Sequence, residues 1–370
     1  MRVLQQSIYF PPEVGGLESH VYHLCRELAR MEEQVTVVTS RSRPDSPRRE
    51  TMDGVRVVRC WFPARNPAGW IAHTAVTVPT YLTLARGADV LHAQTFASAP
   101  PAMLARRLYG SPYVLTLHTS HFLALANRPR WRPVLRRLVA AADRVLAASE
   151  EIRDVALGLA PNARAEALTN GVDTATFRPV PAAIPPEDGR RRIIVPRRLY
   201  PKNGVEHLVR ALPLVARSVD VEALIVGDGP ERERLVALAR ELGVDDRTRF
   251  LGLRPNEAMP ALFASAEVAV FPSLMEATSV AALEAMSCGL PVAASRVGGL
   301  PEIVDESTGT LFRPADPRDL ADKLVGLLER PGLGEIGERA RARVVERWSV
   351  ARLADRHREI YRRLIEERSG

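Results

Sequence analysis

Short apolar runs alternate along the chain with segments of helical periodicity. The runs in the first half are VLQQSIYF, QVTVVT, DVLHA, YVLTLH and RVLAAS, and those in the second half are RIIVP, EALIVG, RFLG, VAVFP, PVAAS and GTLF. Continuous apolar strands separated by helices are typical of parallel sheets that are covered on both faces. The pattern therefore predicts an α/β fold with two doubly wound, Rossmann-like domains.

A proline-rich segment without periodicity, FRPVPAAIPPEDGRRR at residues 177–192, separates the two halves and is typical of a linker. We expect an N-terminal domain over residues 1–178, a linker over residues 179–192 and a C-terminal domain over residues 193–349. The amphipathic pattern at residues 350–368 predicts a long terminal helix. This helix either caps the second domain or crosses back onto the first.

Length and composition narrow the class of protein. The chain has 370 residues, of which 46% are apolar, and this is enough to fill two domain cores. Even residues 70–85 are broken by a histidine, a proline and several threonines, so no bilayer-spanning segment is expected. The N-terminus lacks the apolar core and the cleavage site of a signal peptide. We therefore expect a cytoplasmic protein.

The three cysteines are far apart and form no C-x-x-C pair. Cys25, Cys60 and Cys288 therefore indicate neither a disulfide framework nor a structural zinc site. We interpret them as small, buried apolar residues.

Two loops of the first half follow predicted strands, where ligands bind in open parallel sheets. Gly15 and Gly16 come directly before the first helix, so the backbone can approach an anion at the helix N-terminus, although a plain turn has the same sequence. His118 ends the run YVLTLH and can hydrogen-bond a ligand near neutral pH, or be a structural histidine. No acidic residue or cysteine at metal-ligand spacing accompanies it.

A basic loop opens the second half. Arg197, Arg198 and Lys202 precede a helix that begins after Gly204. Cations beside a helix N-terminus are unfavourable unless an anion lies between them, so the loop predicts a bound phosphate. A solvated basic loop is the alternative. The nearby IVGDGPERERL does not fit a dinucleotide fingerprint, because Arg232 stands at the third glycine position, and no P-loop triplet is present.

The stretch FPSLMEATSVAALEAMSCGLPV contains two glutamates, Glu276 in a loop and Glu284 about five residues into the following helix. A diphosphate at the helix entrance would place ribose hydroxyls near Glu284 and sugar hydroxyls near Glu276. The backbone amides that would hold the diphosphate belong to Ala277, Thr278, Ser279 and Val280. The alternative is a carboxylate favoured by the helix dipole and a second, exposed one. The apolar neighbours of Glu284 favour the ligand, because such a carboxylate needs a partner.

Together these segments resemble the retaining nucleotide-sugar glycosyltransferases of family four, which have the GT-B fold of two Rossmann-like domains. The segments that carry the resemblance span nearly the whole chain in order: PPEVGG, LTLH, LTNGVD, RRLYPKNGVEHLV, IVGDGPER, RFLG, the glutamate pair, CGLPVAAS and GGLPEIV. The E-x7-E unit that continues into EAMSCGLPV is the most specific of them.

The resemblance implies a role for each matching residue. His118 would contact the transferred sugar, Glu276 would hold its hydroxyls and Glu284 would bind the ribose. Contacts with the diphosphate, which is neutralised as it leaves, would come from Gly15, Gly16, Arg198 and Lys202. We expect Leu253 and Arg254, after the run RFLG, to line the pocket for the base.

The family keeps the anomeric configuration, commonly by same-face attack in which the leaving phosphate oxygen takes the acceptor proton. No two aspartates of the chain stand in the D-x-D spacing of a metal clamp. We therefore expect transfer without a metal ion or another cofactor. Two stretches depart from the family pattern: Asn203 takes the usual lysine position, with Lys202 one place earlier, and Ala-Thr-Ser follows Glu276 instead of Gly-Phe-Gly.

The sequence leaves three classes of acceptor possible: a lipid-linked sugar, a polysaccharide and a small metabolite. It also leaves both UDP and GDP sugars possible as the donor. The segment NRPRWRPVLRRLVAAADRV is basic and amphipathic, a pattern that permits peripheral association with anionic membrane but slightly favours an ordinary helix with one face in the core and solvated arginines. We expect no nucleic-acid partner. The rival functions are a nucleotide-sugar-binding protein without turnover and a sugar-nucleotide epimerase.

Overall fold

The computed structural model describes residues 1–13, 15–118, 120–185 and 189–369. Residue 14 of the predicted glycine loop and residues 186–188 of the predicted linker lie outside this part of the chain. The chain forms two compact units. The first contains Met1–Gly171 and Val350–Gly370, and the second contains Val172–Ser349.

The first unit is built on an eight-stranded sheet with the order β3-β4-β2-β1-β5-β6-β7-β8. All neighbours pair in parallel except β3, which is antiparallel to β4. The strands are β1 (Arg2–Gln6), β2 (Gln34–Arg41), β3 (Arg49–Met52), β4 (Val55–Trp61), β5 (Val90–Ala93), β6 (Tyr113–Leu117), β7 (Arg144–Ala147) and β8 (Ala165–Ala167). The helices are α1 (Gly16–Arg30), α2 (Pro67–Ala85), α3 (Ala99–Tyr109), α4 (Ser120–Ala126), α5 (Arg132–Ala140) and α6 (Glu150–Leu159), and the terminal α14 (Val350–Ser369) joins them.

The helices of the first unit form two layers. Helix α2 contacts α3 and α3 contacts α5, whereas α1 contacts α14. Right-handed crossovers place α2, α3 and α5 on one face of the sheet and α1 on the other. Buried Tyr361 and Leu364 of α14 share a core with Leu24 and Leu28 of α1. The terminal helix therefore belongs to the first unit, one of the two positions that its sequence allowed.

The second unit has a six-stranded, wholly parallel sheet with the order β11-β10-β9-β12-β13-β14. Its strands are β9 (Arg191–Pro196), β10 (Val221–Val226), β11 (Thr248–Gly252), β12 (Val268–Phe271), β13 (Val292–Ser295) and β14 (Gly309–Phe312). Its helices are α7 (Val205–Val215), α8 (Arg232–Glu241), α9 (Met259–Phe263), α10 (Val280–Ser287), α11 (Leu300–Ile303), α12 (Pro317–Leu328) and α13 (Leu333–Arg347). The central strands β9 and β12 are almost completely buried, as their continuous apolar sequences require.

The boundary between the units differs from the predicted one. It falls after Gly171 rather than at residue 178, because Phe177 is buried in the second core and its carbonyl accepts a 2.5 Å hydrogen bond from Ser287 Oγ. Within the predicted linker, the Ile184 amide donates to Ser265 Oγ over 3.0 Å, and β9 begins at Arg191. The described part of the proline-rich segment is thus bound to the second unit.

The three cysteines are free and buried, as predicted. Among the described residues, no helix combines the length and the apolar character that a membrane crossing requires.

Candidate active site

The glutamate pair occupies the predicted strand, loop and helix. Strand β12 ends at Phe271, α10 begins at Val280, and the side chain of Ser279 caps the helix by accepting a 3.3 Å hydrogen bond from the Ala282 amide. Glu276 lies in the loop and Glu284 in the second turn of α10. Because the rise of a helix is about 1.5 Å per residue, Glu284 lies roughly 6 to 7 Å along the axis from the helix entrance.

Glu276 is held by an arginine of the neighbouring strand loop. Its carboxylate forms an ion pair with Nη2 of Arg197, and the two side chains are only 16% and 11% exposed. Arg197 also donates to Ser273 Oγ and lies over the ring of Phe271, 5.6 Å from its centroid. Sequence analysis placed Arg197 in a phosphate loop without giving it a role. Its partner is the carboxylate that the family resemblance assigns to the sugar.

Glu284 has the opposite environment. Its carboxylate makes no hydrogen bond or ion pair to any residue that the structure describes, and it lies on a helix whose neighbouring residues Leu283, Ala285 and Met286 are buried. Burial raises the pKa of Glu284 to about 7. Near neutral pH this carboxyl group is therefore present in both forms, so it can accept or donate a hydrogen bond to a hydroxyl pair.

The basic loop between β9 and α7 presents two exposed cations. Arg198 and Lys202 have exposed side chains, and neither pairs with a carboxylate within the described ranges. Asn203 is buried, and its side-chain amide donates a 2.6 Å hydrogen bond to the carbonyl of Arg198. Asn203, which replaces the family lysine, thus stabilises the loop through a buried hydrogen bond, while the side chain of Lys202 is exposed to solvent.

Two glycines let the loops at this edge of the sheet approach one another. Gly204 has φ +63°, and a Cβ atom there would lie 2.0 Å from the carbonyl oxygen of Pro272. Gly298 has φ +51°, and its Cβ atom would lie 1.8 Å from the carbonyl oxygen of Glu276. Any side chain at either position would displace the loop that carries Glu276.

In the first unit, Gly15 and Gly16 lie where β1 leads into α1. A Cβ atom at Gly15 would lie 2.3 Å from Oε2 of Glu18, which belongs to the first turn of the helix. The carboxylate of Glu18 therefore occupies space beside the predicted diphosphate contact.

His118 follows β6 and is buried, with both ring nitrogens in contact with side-chain amides. Nε2 lies 2.9 Å from Gln94 Oε1, and Nδ1 lies 3.0 Å from the amide of Asn170. Burial lowers the pKa of His118 to about 3, against the opposing effect of the acceptor Asn170 Oδ1 beside Nδ1. The ring is therefore neutral at physiological pH. A neutral ring has a single N–H, so it donates to only one of the two facing oxygens, Gln94 Oε1 or Asn170 Oδ1.

Both halves of the chain match known sequence families. Residues 14–176 match the family described as Glycosyltransferase Family 4, and residues 190–330 match Glycosyl transferases group 1. A GDP-mannose-dependent alpha-(1-6)-phosphatidylinositol monomannoside mannosyltransferase of Mycobacterium tuberculosis is 31% identical over 96% of this chain and 97% of its own length. The chain belongs to the family 4, or group 1, glycosyltransferases. The predicted family is confirmed, and the protein is an enzyme.

Other relatives of this glycosyltransferase have different substrates in their names. A D-inositol 3-phosphate glycosyltransferase of Saccharomonospora viridis is 31% identical over 95% of this chain and 89% of its own length. A phosphatidylinositol N-acetylglucosaminyltransferase component of Arabidopsis thaliana is 30% identical over 89% of this chain and 75% of its own length.

Solved structures confirm the predicted GT-B architecture of two Rossmann-like domains. The sucrose-phosphate synthase of Thermosynechococcus elongatus superposes with a TM-score of 0.86 at 23% identity and covers 99% of both chains. Anabaena HepE in complex with UDP superposes with a TM-score of 0.77 at 21% identity, over 97% of this chain and 99% of its own. At these identities the likeness concerns the fold.

Sequence analysis missed the polar network that holds His118 of the glycosyltransferase. Gln94 Nε2 donates a 2.7 Å hydrogen bond to Gln5 Oε1, and His92 Nδ1 lies 2.6 Å from the hydroxyl of Tyr361. These residues are all buried. His92 interrupts the otherwise apolar strand β5, and Gln5 is a buried polar residue at the end of β1; these polar positions are the signal that could have revealed the network.

The predicted base-pocket residues, Leu253 and Arg254, are exposed in the loop after β11. This loop lies at the same carboxyl edge of the second sheet as Arg198 and Glu276. Strand β11 is two strands from β9, or about 10 Å. Among the residues described, no group of three histidine, cysteine, aspartate or glutamate side chains is placed to hold a metal ion.

Proposed function

We propose that this glycosyltransferase moves a hexose from a UDP or GDP sugar to a hydroxyl acceptor, with retention of the anomeric configuration and without a metal ion. The observation that carries the proposal is the unpartnered carboxylate of Glu284, beside a capped helix entrance and two unpaired cations in the adjoining loop. The relative from Mycobacterium tuberculosis is named as GDP-mannose-dependent, and the HepE neighbour binds UDP.

The second unit supplies most of the donor contacts in this proposal. The amides of Ala277, Thr278, Ser279 and Val280 hold the diphosphate at the N-terminus of α10, where the helix dipole favours an anion. Arg198 and Lys202 supply positive charge to the same group. The carboxyl group of Glu284 binds the ribose hydroxyls, and this contact removes the cost of an unpartnered carboxylate. Leu253 and Arg254 line the base.

The first unit supplies the glycine loop and His118. Gly15 and Gly16 contact the diphosphate, and Glu18 turns away when the anion arrives, because two negative groups at one helix entrance repel. Neutral His118 does not act as an acid, and it contacts the transferred sugar by exchanging one of its two amide partners for a sugar hydroxyl. Its links to Gln94 and Asn170 fix the orientation of the ring.

Transfer follows same-face attack. The acceptor oxygen forms a bond to the anomeric carbon while the bond from that carbon to the diphosphate oxygen breaks. The acceptor proton passes to the leaving phosphate oxygen, so no protein base is needed. Arg198 and Lys202 stabilise the charge that develops on the diphosphate, which is the task of a divalent ion in metal-dependent enzymes. Glu276, oriented by Arg197, holds the sugar hydroxyls.

The acceptor in this proposal is a lipid-linked sugar or a growing polysaccharide of the cell envelope. Two relatives act on phosphatidylinositol-based lipids by their names. The enzyme works in the cytoplasm, at the inner face of the membrane, with peripheral attachment to anionic lipid.

Thermal unfolding with UDP, GDP and their hexose derivatives tests the donor. The correct nucleotide raises the midpoint because it binds only the folded state, and a concentration of 100 Kd adds about 2.7 kcal/mol. Release of nucleoside diphosphate in the presence of EDTA then tests the metal-independent reaction, and NMR of the product tests retention. Tight nucleotide binding without any release of diphosphate, with lipid, polysaccharide and sugar acceptors all offered, would favour a binding protein without turnover instead.

A further inference from the structure

One face of the first unit exposes an unusual amount of apolar surface. Within the described part of this unit, every large hydrophobic side chain that is well exposed lies on α2, α3 or α5, or at the end of β4. These residues are Trp61, Ile71, Val76, Leu104, Leu108, Tyr109 and Val134. Ile71 is 68% exposed and Leu108 is 56% exposed. Helices α1 and α14, on the opposite face of the sheet, contribute none of them.

The same part of the chain is strongly basic. Residues 55–142, from β4 to just past α5, contain 11 arginines and a single acidic residue, Asp89. That carboxylate already pairs with Arg2, 2.8 Å away. The segment therefore contains no free carboxylate of its own to neutralise its positive charge.

The arginines of this face differ from those elsewhere in the same unit. Eight of the 11 are exposed and form no ion pair with any described carboxylate: Arg56, Arg86, Arg107, Arg128, Arg130, Arg132, Arg136 and Arg137. On α14, by contrast, Arg356 and Arg363 both pair with Glu359, and Arg358 pairs with Asp355. A high arginine content alone would not explain why the arginines are paired with carboxylates on α14 but largely unpaired on the face formed by α2, α3 and α5.

Two surface cavities on this face combine apolar walls with guanidinium groups. A cavity of about 390 Å³ between α3 and α5 is lined by Leu104, Val134, Arg107 and Arg137, among others. A second, of about 350 Å³, lies between α2 and the β3–β4 hairpin, where Trp61 and Val76 meet several arginines. Cavities of this composition suit phosphate groups attached to hydrocarbon chains.

We infer that the surface formed by α2, α3 and α5, together with the end of β4, docks the enzyme on an anionic bilayer. Apolar side chains, five of them aliphatic and two aromatic, interspersed with unpaired arginines match the boundary between acyl chains and phosphates. Single-stranded nucleic acid instead binds grooves in which aromatic side chains stack on the bases. The inference rests on the proposed function, because it names the surface through which the enzyme meets membrane in that proposal.

Flotation of the full-length protein with vesicles tests the surface. We expect binding to vesicles that contain phosphatidylglycerol, none to pure phosphatidylcholine, and weakening as the salt concentration rises. The combined substitutions Arg107→Glu, Arg136→Glu and Arg137→Glu should lower the partition coefficient about a hundredfold. The control carries Arg217→Glu, Arg240→Glu and Arg347→Glu, three exposed and unpaired arginines of the second unit, and should bind nearly as well as the wild type.

A second variant tests the apolar contribution. Leu108→Ser with Val134→Ser keeps every charge and should lower binding about tenfold, including at high salt. The inference is overturned if the protein ignores phosphatidylglycerol vesicles, or if the control loses as much binding as the triple variant. Retention on polyglutamate without vesicle binding would overturn it in favour of an acidic protein partner. Donor hydrolysis is measured in parallel, so loss of docking and loss of catalysis are distinguished.

Discussion

Arg197, in the loop that follows β9, and Glu276, in the loop that follows β12, form a nearly enclosed ion pair. The pair makes Glu276 a carboxylate with a fixed orientation, whereas Glu284, in the helix that follows, has no partner in the described chain. The two glutamates of the E-x7-E unit therefore differ in their environment: Glu276 is oriented by a cation, whereas Glu284 has no charged partner.

The substitution Glu276→Gln should lower transfer about a hundredfold and leave the Kd for the nucleoside diphosphate nearly unchanged, because in the proposed site the carboxylate binds sugar hydroxyls and not phosphate. The free energy of unfolding should fall by about 1 to 2 kcal/mol, since glutamine still accepts a hydrogen bond from Arg197. Steady-state kinetics and calorimetric titration with UDP or GDP check both parts. An equal loss of transfer and of diphosphate affinity would contradict the assigned role.

Arg197→Met should be more damaging to the fold, by about 2 to 4 kcal/mol, because it leaves a carboxylate with little solvent and no cation. Arg217→Met, at an exposed site, is the control and should change the free energy of unfolding by less than about 0.5 kcal/mol. Chemical denaturation of both variants gives the comparison. Similar stabilities for the two would show that the Arg197 pair contributes little.

Glu284→Gln should raise the stability of the fold above neutral pH while weakening nucleotide binding. The glutamate titrates near 4.5 in the unfolded chain and near 7 in the native one, so the native state holds the proton more tightly and unfolding becomes easier as pH rises from 4.5 through 7. The variant removes this effect and should be about 1 to 3 kcal/mol more stable at pH 8, with little change at pH 4.5. It should also bind the nucleotide more weakly. Urea denaturation at the two pH values checks the sign, and a variant less stable at pH 8 would contradict it.

Lys202→Met should weaken nucleoside diphosphate binding about tenfold, because it removes one charge-assisted contact to phosphate. The chain provides a matched control in Lys323→Met, since Lys323 is exposed on α12 and is the other lysine of the sequence. Both substitutions change the net charge equally. Titration calorimetry should show a loss for Lys202→Met alone, and equal losses would indicate a general charge effect.

Acidification should loosen the first unit selectively. Burial lowers the pKa of His20, His92, His118 and His357, and seven of the eight histidines lie in this unit. Below pH 6.5 these histidines bind protons in the unfolded chain but stay neutral in the native state. Each histidine therefore lowers the free energy of unfolding by up to about 1.4 kcal/mol per pH unit. Hydrogen exchange, corrected for its intrinsic pH dependence, should show faster opening in residues 1–118 at pH 5.5 than at pH 7.5. Uniform behaviour of both units would argue against this cause.

The fold was predictable because buried parallel strands have a distinctive sequence. Ile193 to Val195 in β9 and Val268 to Phe271 in β12 are continuous apolar runs, and the two strands are neighbours at the centre of the six-stranded sheet. The loop and helix around the glutamates were predictable for the same reason, since a strand and a glycine-terminated helix delimit them.

Side-chain pairing in the loops was not predictable. Arg197 and Arg198 are adjacent, and only the path of the backbone decides that one turns inward to Glu276 while the other remains exposed. The domain boundary was not predictable for a similar reason. Phe177 attaches its segment to the second core, although the sequence of that segment has no periodicity that would indicate this.

The return of α14 to the first unit means that the second unit is an insertion within it. Val172 and Ser349 form a parallel β-bridge, and a Cβ atom on Gly171 would lie 3.1 Å from the Cα atom of Val350. The two junctions therefore sit side by side, so both ends of the inserted unit lie at one point. Excising residues 172–349 and joining Gly171 to Val350 would leave a continuous polypeptide for the remaining unit, whereas truncation from either terminus would remove part of its core.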